Sequence, residues 1–173
     1  LAGHLAFFRD PCRKVPAGNV LASPGDGKIV EISTVVENRF LKEEAVKVAI
    51  FLSIFNAHVT RSPMKGFIEY LQYVPGKFVN ALNQNAVHDN ESNWIGVRQE
   101  SKRVLVRQMS GAIARRIFCD IKVGDQVEHG GKFGIICYGS RVECYVSKRL
   151  FKPMIQIGQS VKAGETILGE WTE

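Results

Sequence analysis

The sequence predicts a mainly β protein, a pseudo-symmetric β sandwich of the barrel-sandwich kind with few short helices. Three observations predict it. Glycine is frequent, at 16 of 173 residues, and the prolines fall between apolar runs. The apolar runs are short, and Arg103-Val104-Leu105-Val106-Arg107 alternates as a half-buried strand should. Finally, Ile121-Lys122-Val123-Gly124-Asp125-Gln126-Val127-Glu128-His129-Gly130 returns 34 positions later as Ile155-Gln156-Ile157-Gly158-Gln159-Ser160-Val161-Lys162-Ala163-Gly164.

Taken in chain order, the expected strands are Lys28–Val36, Val46–Ser53, Gly66–Val74, Trp94–Arg98, Arg103–Gln108, Lys132–Cys137, Val142–Val146, Met154–Ile157 and Thr166–Trp171. The charged stretch Glu37–Glu44 reads as a loop, and Ala112–Ile117 as either a short helix or a strand. In each copy of the repeat a glycine sits in a turn, an apolar residue follows, and a second glycine precedes a new strand. Glycine accepts the positive φ that such turns require. Two hairpin units of this kind facing each other give the pseudo-symmetric sandwich seen in biotinyl and lipoyl carrier domains. Ser23-Pro24-Gly25-Asp26-Gly27 looks like a related turn near the start.

The bulk properties narrow the function. A hydrophobic content of 45% and a charged content of 23% fit a folded protein with a real core. The net charge of +6 suits an anionic membrane face. Nucleic acid is not expected as a partner, because no helix-turn-helix pattern or RNA-stacking aromatic signature is present. Cys12, Cys119, Cys137 and Cys144 form no CxxC pair, so no metal site is expected and a reducing compartment is the default. No run reaches the roughly 20 apolar residues of a membrane-spanning helix. The chain starts at Leu1 rather than methionine, and Leu1, Leu5, Phe7 and Phe8 read as the end of an apolar segment.

Chemistry concentrates in three clusters. Asp26 is a carboxylate on a tight Asp-Gly turn, able to orient a histidine. His58 follows the apolar strand that ends near Ser53, and it can move protons near neutral pH. Asn56 and Arg61 flank it, and either could bind an anionic group. The third cluster is Gly139-Ser140, a turn dipeptide whose hydroxyl becomes a nucleophile only when a base takes its proton. Asp26, His58 and Ser140 form an acid–base–nucleophile set if the fold brings them together.

These clusters lie within a longer pattern. Phe7-Phe8-Arg9-Asp10-Pro11 with Arg13 and Pro16, then Ser23-Pro24-Gly25-Asp26-Gly27, resemble the opening and the SP-x-DG motif of the phosphatidylserine decarboxylase family. Phe51-Leu52-Ser53 with His58-Val59-Thr60-Arg61-Ser62-Pro63 resembles its FLS…HVNR-x-P motif, and Asn90-Glu91-Ser92-Asn93 its NERN stretch. Gly111–Ile117 and Phe133-Gly134…Tyr138-Gly139-Ser140-Arg141 complete the set, and Gly-Ser-Arg matches the short form of the family. There are departures. Arg61 stands where long-form members carry a second histidine, Asn56 where many members have aspartate, and Ser92 where the NERN arginine would be.

The resemblance implies one catalytic domain over 1–173, self-cleaved at Gly139-Ser140 into a β chain, 1–139, and an α chain, 140–173. Ser140 would become a covalent pyruvoyl cofactor, with His58 as proton carrier, Asp26 orienting it, and Asn56, Arg61 and Arg141 as substrate-binding residues. Arg115 is a further candidate for the lipid phosphate or carboxylate. The reaction implied is decarboxylation of phosphatidylserine to phosphatidylethanolamine. Its partners would be a phospholipid at the cytoplasmic face of a membrane and the two chains of one precursor, with a homodimer a plausible assembly. Two alternatives stand beside it. One is a carrier domain modified at Lys65, since Met64-Lys65 resembles a biotinyl attachment site; the other is decarboxylation of a different serine lipid such as archaetidylserine.

Overall fold

The computed structural model describes residues 8–76, 90–111, 116–137 and 140–172. The strands are β1 Val20–Ala22, β2 Gly27–Glu37, β3 Glu43–Leu52, β4 Val59–Arg61, β5 Gly66–Val74, β6 Ser92–Gln99, β7 Lys102–Met109, β8 Ile117–Cys119, β9 Gln126–Val127, β10 Lys132–Ile136, β11 Ser140–Ser147, β12 Phe151–Pro153, β13 Ser160–Val161 and β14 Ile167–Trp171. The protein is mainly β, with no helix among the described residues. The one segment considered for a helix is largely outside the description: residues 112–115 are not covered, and Ile117 opens β8.

An eight-stranded antiparallel sheet curls in the order β13-β2-β3-β11-β7-β6-β5-β9. Two three-stranded sheets, β1-β14-β12 and β4-β10-β8, complete the layers. The sequence repeat appears as a pseudo-two-fold between β11 and β7. The two repeat turns supply β13 and β9, which close the two opposite edges of the large sheet. Gly158 N donates to Ile29 O and Gly124 N to Ile68 O, each at 2.8 Å, and both glycines have positive φ, +89° and +95°. A Cβ on Gly164 would stand 3.3 Å from the Gly130 Cα, so the two units touch at their last glycines.

The same symmetry relates a pair of turns that the sequence reading did not match. Ser23-Pro24-Gly25-Asp26-Gly27 corresponds to Ser62-Pro63-Met64-Lys65-Gly66. Ser23 O accepts from Gly164 N and Ser62 O from Gly130 N, at 2.8 and 2.9 Å. Lys65 is therefore the counterpart of Asp26, and it is half-exposed beside Glu128, 3.6 Å away.

The strand expectations hold for the long elements and fail at one place. Met154–Ile157 is not a strand: the pairing segment is Phe151–Pro153, and the chain then turns, with Gln159 N donating to Gln156 O. The loop expected over Glu37–Glu44 is shorter, because Glu37 closes β2 and Glu43 opens β3 as a paired couple. Glu37 holds that tight turn by accepting the backbone N–H groups of Arg39, Phe40 and Leu41.

Strand alternation splits the large sheet into two faces. Val48, Ile50, Leu52, Val104, Val106, Val142, Cys144 and Val146 pack inward against the small sheets and form the main core. The opposite face carries Ala45, Leu105, Trp94 and Tyr145, capped by Phe40 and Leu41 of the β2–β3 turn. Burial of the inward set is the main source of stability, at about 25 cal/mol per Å² of apolar surface.

Candidate active site

β11 begins at Ser140, in the middle of the large sheet. Ser140 is paired with Leu52 of β3. Arg141 is paired with Met109, which places Ser140 opposite Ser110. Gly27, Leu52, Ser140 and Ser110 thus form one row across the rim of the sheet. Ser140 shares the inward face with Val142 and Cys144. Its Oγ is buried and has no hydrogen-bond partner among the described residues. Gly139, the other half of the expected cleavage bond, lies outside the described residues, as does Arg115.

His58 reaches the same rim from the small sheet. Its carbonyl accepts from Ile136 N at 3.2 Å, just before the connection that leads to Ser140. Two residues on, Thr60 Oγ1 accepts from Gln108 Nε2 at 2.5 Å, which fixes this edge of β4 over β7. β4 runs antiparallel to β10, so His58 lies on the rim side of Thr60, as Ser110 lies on the rim side of Gln108. His58 Nδ1 contacts Asn56 O at 2.9 Å. A carbonyl can only accept, so the ring proton sits on Nδ1 and Nε2 carries the lone pair. Burial pushes the imidazole down to about 4; Asn56 O and Asp26 oppose that shift, and Arg9 adds to it. The side chain is a neutral base at physiological pH.

Asp26 stands beside this rim. A Cβ on Gly25 would meet Val142 and Leu52 side chains at 3.4 and 3.5 Å, and Pro24 O accepts from Arg61 N at 3.0 Å. Gly27 has no room for a side chain, since a Cβ there would lie 2.1 Å from Phe51 O. The Asp26 carboxylate is held by Arg13 Nη2, at 2.9 and 2.7 Å, and by Ala163 N at 2.7 Å. The orienting contact on His58 Nδ1 comes from the Asn56 backbone, while Asp26 acts on the ring as a nearby charge.

The three residues expected to bind substrate are used otherwise. Asn56 Oδ1 accepts from Ser53 N and Ser53 Oγ, both at 2.8 Å, and so shapes the turn before His58. Arg61 bonds Gly130 O at 2.9 Å and also pairs with Asp10, bracing the N-terminal segment. Arg141 corrects the sequence reading most clearly. It follows Ser140 directly, so alternation turns it to the opposite face. There it is 2% exposed and bonds Glu143 Oε1 at 2.9 Å and Glu31 Oε2 at 2.7 Å. Lys47, Arg107 and the Tyr145 hydroxyl complete this buried network. Burial alone would raise the Glu143 carboxyl, but Lys47, Arg141, Tyr145 and Arg107 together hold it below the usual range.

Two residues at the rim were not weighed as site residues from sequence. Arg13 lies in the opening motif and Glu91 in the Asn90–Asn93 stretch. Glu91 O accepts from Ser110 N at 3.0 Å, which continues the Ser140 row by one more strand. A cavity of about 350 Å³ opens nearby between the sheets, lined by Leu71, Tyr73, Asn93, Ile117 and Cys119. Among the described residues, no group of three or more His, Cys, Asp or Glu side chains could hold a metal ion.

A sequence model described as phosphatidylserine decarboxylase matches residues 3–169. A protein of Carboxydothermus hydrogenoformans named phosphatidylserine decarboxylase proenzyme is 42% identical over 94% of this chain and 77% of its own length. Proteins with the same name from Cupriavidus pinatubonensis and Chlorobium phaeobacteroides are 41% and 42% identical, over 98% and 96% of this chain and 78% of each relative.

Proposed function

The chain belongs to the phosphatidylserine decarboxylase family, and we propose that it splits itself at Gly139–Ser140 and then decarboxylates phosphatidylserine to phosphatidylethanolamine. The observation that carries the first step is the buried Ser140 Oγ, without a hydrogen-bond partner among the described residues, at the rim to which β4 and β10 also bring His58. No competing hydrogen bond has to be broken before the hydroxyl can give up its proton. That environment fits a residue destined to become a pyruvoyl group.

In the precursor, His58 Nε2 takes the Ser140 proton and Oγ attacks the Gly139 carbonyl. The amide becomes an ester with its nitrogen freed. Elimination releases the Gly139 carboxylate, and water replaces the nitrogen of the resulting dehydroalanine, releasing ammonia. The ketone left at residue 140 supplies the electron sink for loss of carbon dioxide. The chain's own residues do the rest. Asn56 O keeps the His58 proton on Nδ1, so Nε2 is the atom that receives and returns a proton at the α-carbon. Arg13 and Ala163 N hold the Asp26 carboxylate close to the ring, where its charge favours the transient imidazolium. The inward apolar wall excludes water from this rim.

The test is intact-mass and lipid-product measurement on the purified protein. Two fragments, 1–139 and 140–173, are expected, the smaller blocked by a ketone, together with conversion of a serine phospholipid to its ethanolamine form. A single chain with an adduct on Lys65 would overturn the reading.

The substrate resides in a bilayer, and the turn before His58 is built to meet one. Phe55 is 80% exposed, Ile54 and Phe8 are also exposed, and Arg9 donates to Phe55 O. The Ser53–Asn56 bonds make this apolar tip stiff. Shallow insertion of the tip beside anionic lipid delivers the headgroup to the rim. Phe55→Ser is expected to lower co-sedimentation with phosphatidylglycerol-containing vesicles several-fold, while turnover of a dispersed short-chain serine lipid stays at the parent rate. Equal binding by both proteins would remove the tip from the docking surface.

A further inference from the structure

Glu91 is a buried carboxylate at the rim. It is 7% exposed, and no salt bridge to it exists among the described residues. Its Oε1 accepts the Tyr73 hydroxyl at 2.7 Å, while Oε2 is buried with no hydrogen-bond partner among the described residues. Burying a charge this way is costly unless a positive group completes it. Every other carboxylate buried on the large sheet has such a partner or a full set of donors: Glu143 has Arg141, Lys47 and Arg107, and Glu37 has three backbone N–H groups.

The position of Glu91 says which cation it suits. Ser110 stands between it and Ser140 in the rim row. The Cα atoms of residues 91 and 140 are therefore two strand spacings apart, about 10 Å. Tyr73, which holds the carboxylate, also lines the cavity between β5, β6 and β8, and its ring is exposed at the mouth. The cavity mouth thus lies against the residue that holds the Glu91 carboxylate, and Glu91 sits on the same row of the sheet as residue 140.

We propose that Glu91, positioned by Tyr73, binds the ammonium group of the serine headgroup and presents that nitrogen to residue 140. This rests on the decarboxylase reading and deepens it: Glu91 selects the amine and Tyr73 is its positioning residue.

The experiment separates this from the chemistry by using the Ser140→Ala protein, which cannot form the ketone. Binding of dihexanoyl phosphatidylserine and of dihexanoyl phosphatidylglycerol, which lacks the amine, is measured by calorimetry with and without Glu91→Gln. Glutamine keeps an acceptor for Tyr73 and leaves the Ser110 backbone bond intact, so the fold is retained. The expected result is at least tenfold weaker serine-lipid binding in the Gln variant, with glycerol-lipid binding unchanged. Tyr73→Phe should give a smaller loss in the same direction. Equal loss for both lipids, no loss, or a parent protein that does not prefer the amine lipid would each overturn the assignment. Failure of the decarboxylase reading itself would appear elsewhere, in the product chromatography of the protein carrying Ser140.

Discussion

Ser140→Ala is expected to leave the chain whole. On denaturing gels and by intact mass, the protein carrying Ser140 should give fragments 1–139 and 140–173, and the alanine variant a single species. Decarboxylase activity should fall to background, because no ketone can form at a residue without a hydroxyl. The usual objection to such a result is that the variant misfolds, and the structure answers it in advance. The Ser140 Oγ is buried without a hydrogen-bond partner among the described residues, so its removal breaks none of their bonds and relieves a buried polar atom. Replacing a buried orphan hydroxyl by hydrogen is close to neutral or stabilising on the scale of about 1 kcal/mol. The melting temperature of the variant should therefore equal or exceed that of the unsplit parent. A variant that still splits would show that the bond is broken by another group; one that fails to split and also melts far lower would show that Ser140 Oγ holds structure.

The same row of residues shows what could be read from sequence and what could not. The long strands were legible because each has enough residues for alternation to register, as in Arg103–Arg107 on β7. The two- and three-residue strands β1, β4, β8, β9, β12 and β13 have no period to read, and Met154–Ile157 alternates without pairing. The repeat was legible as similarity between Ile121–Gly130 and Ile155–Gly164. Its partner relation, between the Asp26 and Lys65 turns, was hidden because only serine, proline and glycine are shared. Lys65 thus occupies in one half of the pseudo-dyad the position that Asp26 occupies in the other.

Among the expected site residues, type and order pointed to Ser140, His58 and Asp26, which the fold brings to one rim, while Arg141 turns to the opposite face of the sheet. A residue next to the nucleophile in sequence is on the other side of the sheet in space, and its period-two position on β11 was the available signal. What could not be read is long-range pairing. Arg13 neutralises Asp26 across the N-terminal segment, and Glu91 enters the Ser140 row only through Ser110. Asn56 contributes through its backbone oxygen, a role that no side-chain pattern records.

Replacing His58 should slow splitting by about 10²–10⁴-fold, the usual worth of a positioned general base. Its pH behaviour distinguishes it from an ordinary histidine. With the imidazole held at about 4 by burial, Nε2 stays basic well below neutrality, so the acid limb of the splitting rate should have its midpoint near pH 4. A midpoint near 6.5 would indicate a solvated base and count against this geometry. The same depressed value acts on stability. Between pH 6.5 and about 4 the unfolded chain takes up a proton on His58 that the folded chain refuses, so stability is fully present above 6.5 and falls as pH drops through that window. The loss by pH 4 is on the order of 3 kcal/mol. His58→Gln should therefore flatten the dependence of melting temperature on pH between 6.5 and 4, relative to Ser140→Ala as the unsplit reference. Glu31 and Glu143, both held below the usual carboxylate range by the cations beside them, are common to the two proteins, so their acid titration cancels in the comparison. A rate loss without the flattened stability curve would place His58 in solvent during catalysis; the two together tie the base to its buried seat against Asn56.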